Sequence, residues 1–282
     1  MSSIGTGRLE ALRLVRSRRP LLALASLGLF LFLMLVGFYT YAQSRTGGAA
    51  DFRYTFENRS YFNGLTFALY AFYFGFVLVL PIFAATEGGA QLAGDTDSGV
   101  LHLFLTRPVS KARLFLTKLA LAAGYATVLV GGFLALALGV GLLAVGWGDL
   151  DLYPGVLQMT DRPQHMSQGE GLTRFLLAWP FASLGLLAPL TFSFWISAWS
   201  KSAVNAVGTS VALYLVLYVV AEVHFFQELR PWLFTSHLAY WRELFREEIA
   251  WEPLLRDAAK LSAFTFLFAG LAFRRFRTRE EA

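Results

Sequence analysis

Six apolar stretches, each near the length of a bilayer crossing, divide this chain of 282 residues. A helix needs about 20 mostly apolar residues to cross a hydrocarbon core about 30 Å thick. The stretches cover residues 21–41, 65–85, 119–145, 172–199, 204–223 and 258–273. Their apolar residues sit in long blocks instead of alternating with polar ones, the pattern of helices in lipid. Only 15% of the chain is charged, against about 25% in soluble domains. The expected fold is therefore all-α and integral to the membrane, with six transmembrane helices in one domain spanning residues 1–282.

The stretches differ in character. The third is long and carries Gly124, Gly131, Gly132, Gly139 and Gly141. Small residues of this kind let helix backbones approach closely in a membrane, so Gly131 and Gly132 are candidate packing positions. The fourth contains Pro180 and Pro189 and is expected to kink or to begin as an interfacial segment. The sixth is short, with Lys260 near its start. The first is too long for a signal h-region and no small-residue cleavage site follows it.

Basic residues predict the orientation. Arg8, Arg13, Arg16, Arg18 and Arg19 precede the first stretch, and Arg274, Arg275, Arg277 and Arg279 follow the last. Arg107, Lys111, Arg113 and Lys118 lie between the second and third, and Lys201 between the fourth and fifth. These share one side of a six-span chain and give it a basic excess, so both termini are expected in the cytoplasm. The net charge of +5 is thereby explained by topology, without nucleic acid. On the opposite side, residues 221–257 form the longest connection. It reads as one or two interfacial or re-entrant helices, because Leu238, Trp241, Leu244 and Phe245 recur at helical spacing and Trp232, Tyr240, Trp241 and Trp251 suit the headgroup level.

The most informative connection is 87–118, EGGAQLAGDTDSGVLHLFLTRPVSKARLFLTK. It reads as helix, break, helix. Asp95, Thr96 or Asp97 caps a short helix, Pro108 stops it, and Ser110 caps the next. Val100, Leu101, Phe104 and Leu105 share one face. A short amphipathic helix at the cytoplasmic surface can rest on lipid or receive force from a soluble partner.

The pattern resembles the signature loop of ABC-2-type permeases, the membrane subunits of one class of ATP-binding-cassette transporters. Asp95 and Asp97 stand for its acids, Gly99 and Leu101 for its glycine and leucine, and Leu103 to Leu105 for its apolar run. Arg107, Pro108, Val109 and Ser110 match its break, and Lys111, Arg113 and Lys118 its basic positions. Val100 and His102 depart from the usual threonine and acid. The basic segment 9–19 resembles the family's amphipathic N-terminal interfacial helix, and 197–203 its tight turn between the fourth and fifth spans. The likeness is greatest to compact six-helix permeases such as the membrane subunit of nitrous-oxide-reductase maturation systems.

The resemblance implies a permease subunit with a cytoplasmic coupling helix between the second and third spans. It implies two copies of a separate ABC ATPase, a second permease chain in a homodimer, and a prokaryotic cytoplasmic membrane. The coupling residues it points to are Asp97, Gly99, Leu101, His102, Phe104, Arg107 and Pro108, with Arg13 and Arg16 behind them. The sequence has no G-x-x-x-x-G-K-[ST] to cradle phosphates, so ATP and magnesium would be held by the partner. No H-E-x-x-H and no G-x-S-x-G is present, so neither catalytic residues nor a metal site is expected. His165 with Met159 and Met166 reads as a solvated loop, not a copper stop. Asn205 is read as a helix-packing residue before a substrate contact. With no carboxylate expected mid-span, the pathway reads as apolar, suiting export of a hydrophobic or amphipathic substrate. Two rival readings share the architecture. One is a mechanotransmitter relaying ATP hydrolysis to a periplasmic or surface partner. The other is a carrier or membrane scaffold that needs no ATPase.

Overall fold

A computed structural model describes residues 19–46, 55–56, 59–60, 62–98, 110–153, 157, 159 and 162–278. The expected N-terminal interfacial helix lies outside the described residues. Among the described residues there are six long helices: α1 (Arg19–Thr46), α2 (Gly64–Asp97), α3 (Lys111–Ala144), α4 (Gln168–Trp199), α5 (Ala203–Glu222) and α6 (Trp251–Thr278). Of these, α2, α3, α4 and α5 are long and apolar enough to cross a membrane. In α1 the described apolar part is the shorter stretch Ala25–Tyr41. The first half of α6 carries Glu252, Arg256, Asp257 and Lys260. Two short antiparallel hairpins, β1 (Thr55–Phe56) with β2 (Arg59–Ser60) and β3 (Leu150–Leu152) with β4 (Gln164–Met166), lie in the connections after α1 and α3.

Consecutive helices run in opposite directions, and α4 is the central one, packed on α2, α3, α5, α6 and the segment before α6. Large side chains such as Phe67, Phe72, Phe76, Phe133 and Phe175 are fully buried. Leu29, Phe32, Leu33, Val128, Leu176 and Phe266 point outward, as they do where the solvent is lipid. Close backbone approach replaces bulk where the helices cross. A Cβ on Gly64 would meet the backbone of Gly141 at 2.6 Å, and one on Gly131 would meet the Trp179 indole at 2.7 Å. Gly131 lets that indole lie against α3 and donate to the Thr127 carbonyl at 3.0 Å. Gly132, the other expected packing glycine, has nothing within 4 Å of an added Cβ and faces away from its neighbours.

Two prolines in α4 do not end it. Pro180 and Pro189 both sit inside the single helix Gln168–Trp199. An irregular turn appears instead in α2, where Gly75–Val79 is π-helical. Its cause is local: Pro81 has no N–H, so the Val77 carbonyl four residues earlier loses its helical donor. The buried Tyr214 of α5 donates its hydroxyl to that carbonyl at 2.6 Å. The freed acceptor is thus satisfied from the neighbouring helix, as buried backbone groups must be.

The segment after α5 differs from a headgroup-level helix. It consists of short 3₁₀ pieces at His224–Phe226, Arg230–Trp232 and Phe234–Phe245, the last interrupted at Ala239. Phe225 and Trp232 are exposed, as an interfacial segment requires. Tyr240 and Trp241, expected at the headgroups, are buried in the bundle. Trp241 packs on Phe72 with ring centroids 4.5 Å apart, and the Tyr240 hydroxyl donates to the Phe181 carbonyl at 2.6 Å. Contacts with Phe72 and Phe76 of α2 and Phe181 of α4 bury both rings in the bundle instead of leaving them at the interface. Arg174 of α4 closes the segment, donating to the Leu244 and Glu247 carbonyls at 3.1 and 3.2 Å while pairing with Glu170 at 2.8 Å.

Candidate functional site

The site of interest is the end of the bundle where α2 stops and α3 starts. A helix of 34 residues is about 51 Å long at 1.5 Å per residue, well over the roughly 30 Å of hydrocarbon. Both α2 and α3 have that length, so their ends extend beyond the core. Gly64 of α2 donates its N–H to the Gly146 carbonyl at 2.8 Å, just past the other end of α3. Being equally long and level at that end, the two helices are also level at the end that carries Glu87 to Asp97 and Lys111 to Lys118.

The expected short helix lies outside the described residues, and its proposed caps Asp95, Thr96 and Asp97 themselves fall in the last turn of α2. Residues 87–97 continue α2 without a break, because Glu87 to Ala93 offers no proline and its small residues pack inside the bundle. Thr96 donates to the Leu92 carbonyl at 3.0 Å, and Ser98 forms the C-cap. Asp95 turns inward to Lys118 of α3. Its carboxylate lies 2.7 Å from the ammonium, with the two side chains 5% and 3% exposed. Ser110 behaves as the sequence suggested, capping α3 by accepting from the Arg113 N–H at 3.3 Å.

Around this ion pair the end of α2 is held on every side. Gly88 faces α4, where an added Cβ would lie 2.3 Å from the Leu190 carbonyl. Gly89 faces α5, 3.1 Å from the Val207 Cα on the same measure. Ser197 of α4 donates to the Gly89 carbonyl at 2.6 Å and accepts from the Leu92 and Ala93 N–H groups at 3.1 and 2.9 Å. Its hydroxyl thus enters the backbone ladder of a neighbouring helix. Asp97 accepts from the Ala203 N–H at 3.4 Å, placing a carboxylate at the positive end of α5. Below the ion pair, Phe115 meets Phe194 and Phe273 edge-on at 5.3 and 5.2 Å. Arg275 of α6 covers the Trp199 ring at 4.2 Å.

Glu87 is buried and accepts from the Gln91 amide. A buried carboxylate inside α2 revises the expectation that the second helix ends before Glu87. Asn205, read as a packing residue, is exposed on the first turns of α5. Of the expected coupling residues, Asp97 is placed as described. Gly99, Leu101, His102, Phe104, Arg107, Pro108, Arg13 and Arg16 lie outside the described residues. The Gly88–Gly89 pair and the Asp95–Lys118 bridge were not singled out in the sequence, and Ser197, placed there in the turn 197–203, lies inside α4. A Gly-Gly step next to an apolar stretch could have flagged the first, but nothing in the sequence pairs Asp95 with one lysine over another.

At the opposite end, β3 and β4 set His165 beside two acids, with Nδ1 2.6 Å from Asp151 and Nε2 4.0 Å from Asp149. Met159 and Met166 are buried in the apolar core. Burial first, and then the nearby Asp151 carboxylate, raise the Tyr153 phenol above its ordinary value. Among the described residues no group of three or more His, Asp or Glu side chains is arranged to hold a metal.

The chain matches the family model described as ABC-2 family transporter protein over residues 8–229. No curated protein matches it.

Proposed function

This chain belongs to the ABC-2 transporter family, and on that premise we propose that it is the membrane permease subunit of an ABC exporter for a hydrophobic or amphipathic substrate. The observation that carries the reading is the family match over residues 8–229, which includes the 87–118 connection. The chain is not an enzyme by itself in this reading. ATP and magnesium are bound by a separate ATPase, present in two copies beneath a homodimer of this chain in a prokaryotic cytoplasmic membrane. All six long helices cross the membrane, with both termini inside.

In this mechanism the ATPase contacts a coupling helix formed by residues 99–108. Gly99, Leu101, His102, Phe104, Arg107 and Pro108 make the contact, Arg13 and Arg16 support it, and Asp97 ties its root to α5. Closure of the ATPase dimer displaces the helix, and the displacement passes into α2 and α3. The second reading, relay of force to an outer partner, draws on the segment Phe234–Phe245, which is wedged between α2, α4 and α6 and would move with them.

Co-purification in nanodiscs tests the proposal. The native chain is expected to bring an ABC ATPase with it, and a Gly99→Trp, Phe104→Asp variant to lose that ATPase while remaining folded. A native chain that never retains an ATPase sinks the proposal and returns the scaffold reading.

A further inference from the structure

The ion pair Asp95–Lys118 joins the two helices that flank the connection 99–109, and both side chains are more than nine-tenths buried. Burying two charges costs several kcal/mol of desolvation each, and apolar residues of similar volume often hold a fold as well or better. Stability is therefore a weak reason for such a pair, and what it adds is direction. A 2.7 Å contact fixes the register of α2 against α3 in a way that apolar side chains, free to slide, do not. On the far side of α2, Ser197 and the close approach at Gly88 fix it to α4, and Asp97 fixes it to α5.

From this geometry we propose that Asp95 and Lys118 form a clamp at the root of the loop and act as positioning residues for coupling. The inference rests on the ATPase-coupled reading. With the clamp closed, a push on the loop moves the ends of α2 and α3 as one body. With it open, the push is absorbed by sliding between the two helices and does not reach the other end of the bundle.

The chain has no cysteine, so reporters can be placed cleanly. Leu143 and Phe225, 90% and 86% exposed at the opposite end of the bundle, are changed to cysteine and spin-labelled in the complex with the co-purified ATPase. The label distance is read before and after trapping with Mg-ATP and vanadate. The native complex is expected to show a shift. Lys118→Met is expected to keep the ATPase bound and hydrolysing ATP but to lose the shift, and the exchanged pair Asp95→Lys, Lys118→Asp to regain it. Because Lys118→Met removes the ammonium that faces a buried carboxylate, Asp95→Leu with Lys118→Met serves as the variant that folds without either charge, and it too should lose the shift. A folded Asp95→Leu, Lys118→Met complex with the full native shift overturns the clamp. A native complex with no ATPase or no shift instead overturns the coupled reading, and the clamp with it.

Discussion

At the scale of single residues, glycines at helix crossings decide how tightly the bundle closes. Gly88 and Gly132 make a matched comparison, since both lie inside long helices. A Cβ at Gly88 would sit 2.3 Å from the Leu190 carbonyl, while one at Gly132 meets nothing within 4 Å. Gly88→Ala is therefore expected to cost about 1–3 kcal/mol through overpacking. Gly132→Ala is expected to be neutral or to gain up to about 1 kcal/mol from reduced backbone entropy. Thermal unfolding of the detergent-solubilised chain checks both: Gly88→Ala should melt lower than native and Gly132→Ala should not. The buried Trp241 offers a second comparison. Its ring is enclosed by Phe72, Phe76 and Phe245, and its Nε1–H has no acceptor among the described residues. Trp241→Ala should cost about 3–5 kcal/mol for the cavity. Trp241→Phe, which keeps much of the volume and removes the unpaired donor, should cost far less in the same melting experiment.

At the scale of elements, the π-helical turn in α2 is a contract between two helices. Pro81 withholds the donor that Val77 needs, and Tyr214 of α5 supplies it. Tyr214→Phe leaves a buried carbonyl unsatisfied and is expected to destabilise by about 1–3 kcal/mol. In a Pro81→Ala background the helix can supply its own N–H, so the same change should cost less. A double-mutant cycle on thermal stability reads the difference as a coupling energy, and purely additive effects would disprove the link. The π turn also places Phe76 against Trp241, so the element that receives the segment before α6 is the one with the altered helical pitch.

At the scale of the molecule, the six long helices among the described residues alternate in direction, and the ion pair lies at the end where α2 stops and α3 starts. If that end is cytoplasmic, as the basic residues predict, tags on both termini should be protected from impermeant reagents in intact cells. A cysteine at Phe225, exposed between α5 and α6, should be labelled. Labelling of the termini but not of Phe225→Cys would invert the topology and place the coupling loop outside, away from any ATP.

The sequence alone determined that this chain is a helical membrane protein of the ABC-2 kind. Apolar blocks of bilayer length leave few other folds, and the motif around Gly99 to Ser110 survives as a linear pattern. It also determined the Ser110 cap, because a cap is made by residues three apart. Tertiary structure alone decided what depends on contacts between distant segments. Asp95 was legible as an acid but not as the partner of Lys118. Gly131 and Gly132 were legible as small residues, but only packing against Trp179 separates one from the other. Tyr240 and Trp241 read as interfacial anchors until the faces of α2 and α4 offered them a drier place. Hydropathy is a sum along the chain and is readable there. Register, pairing and the choice between lipid and bundle are differences between neighbours in space, and the order of residues does not contain them in any local form.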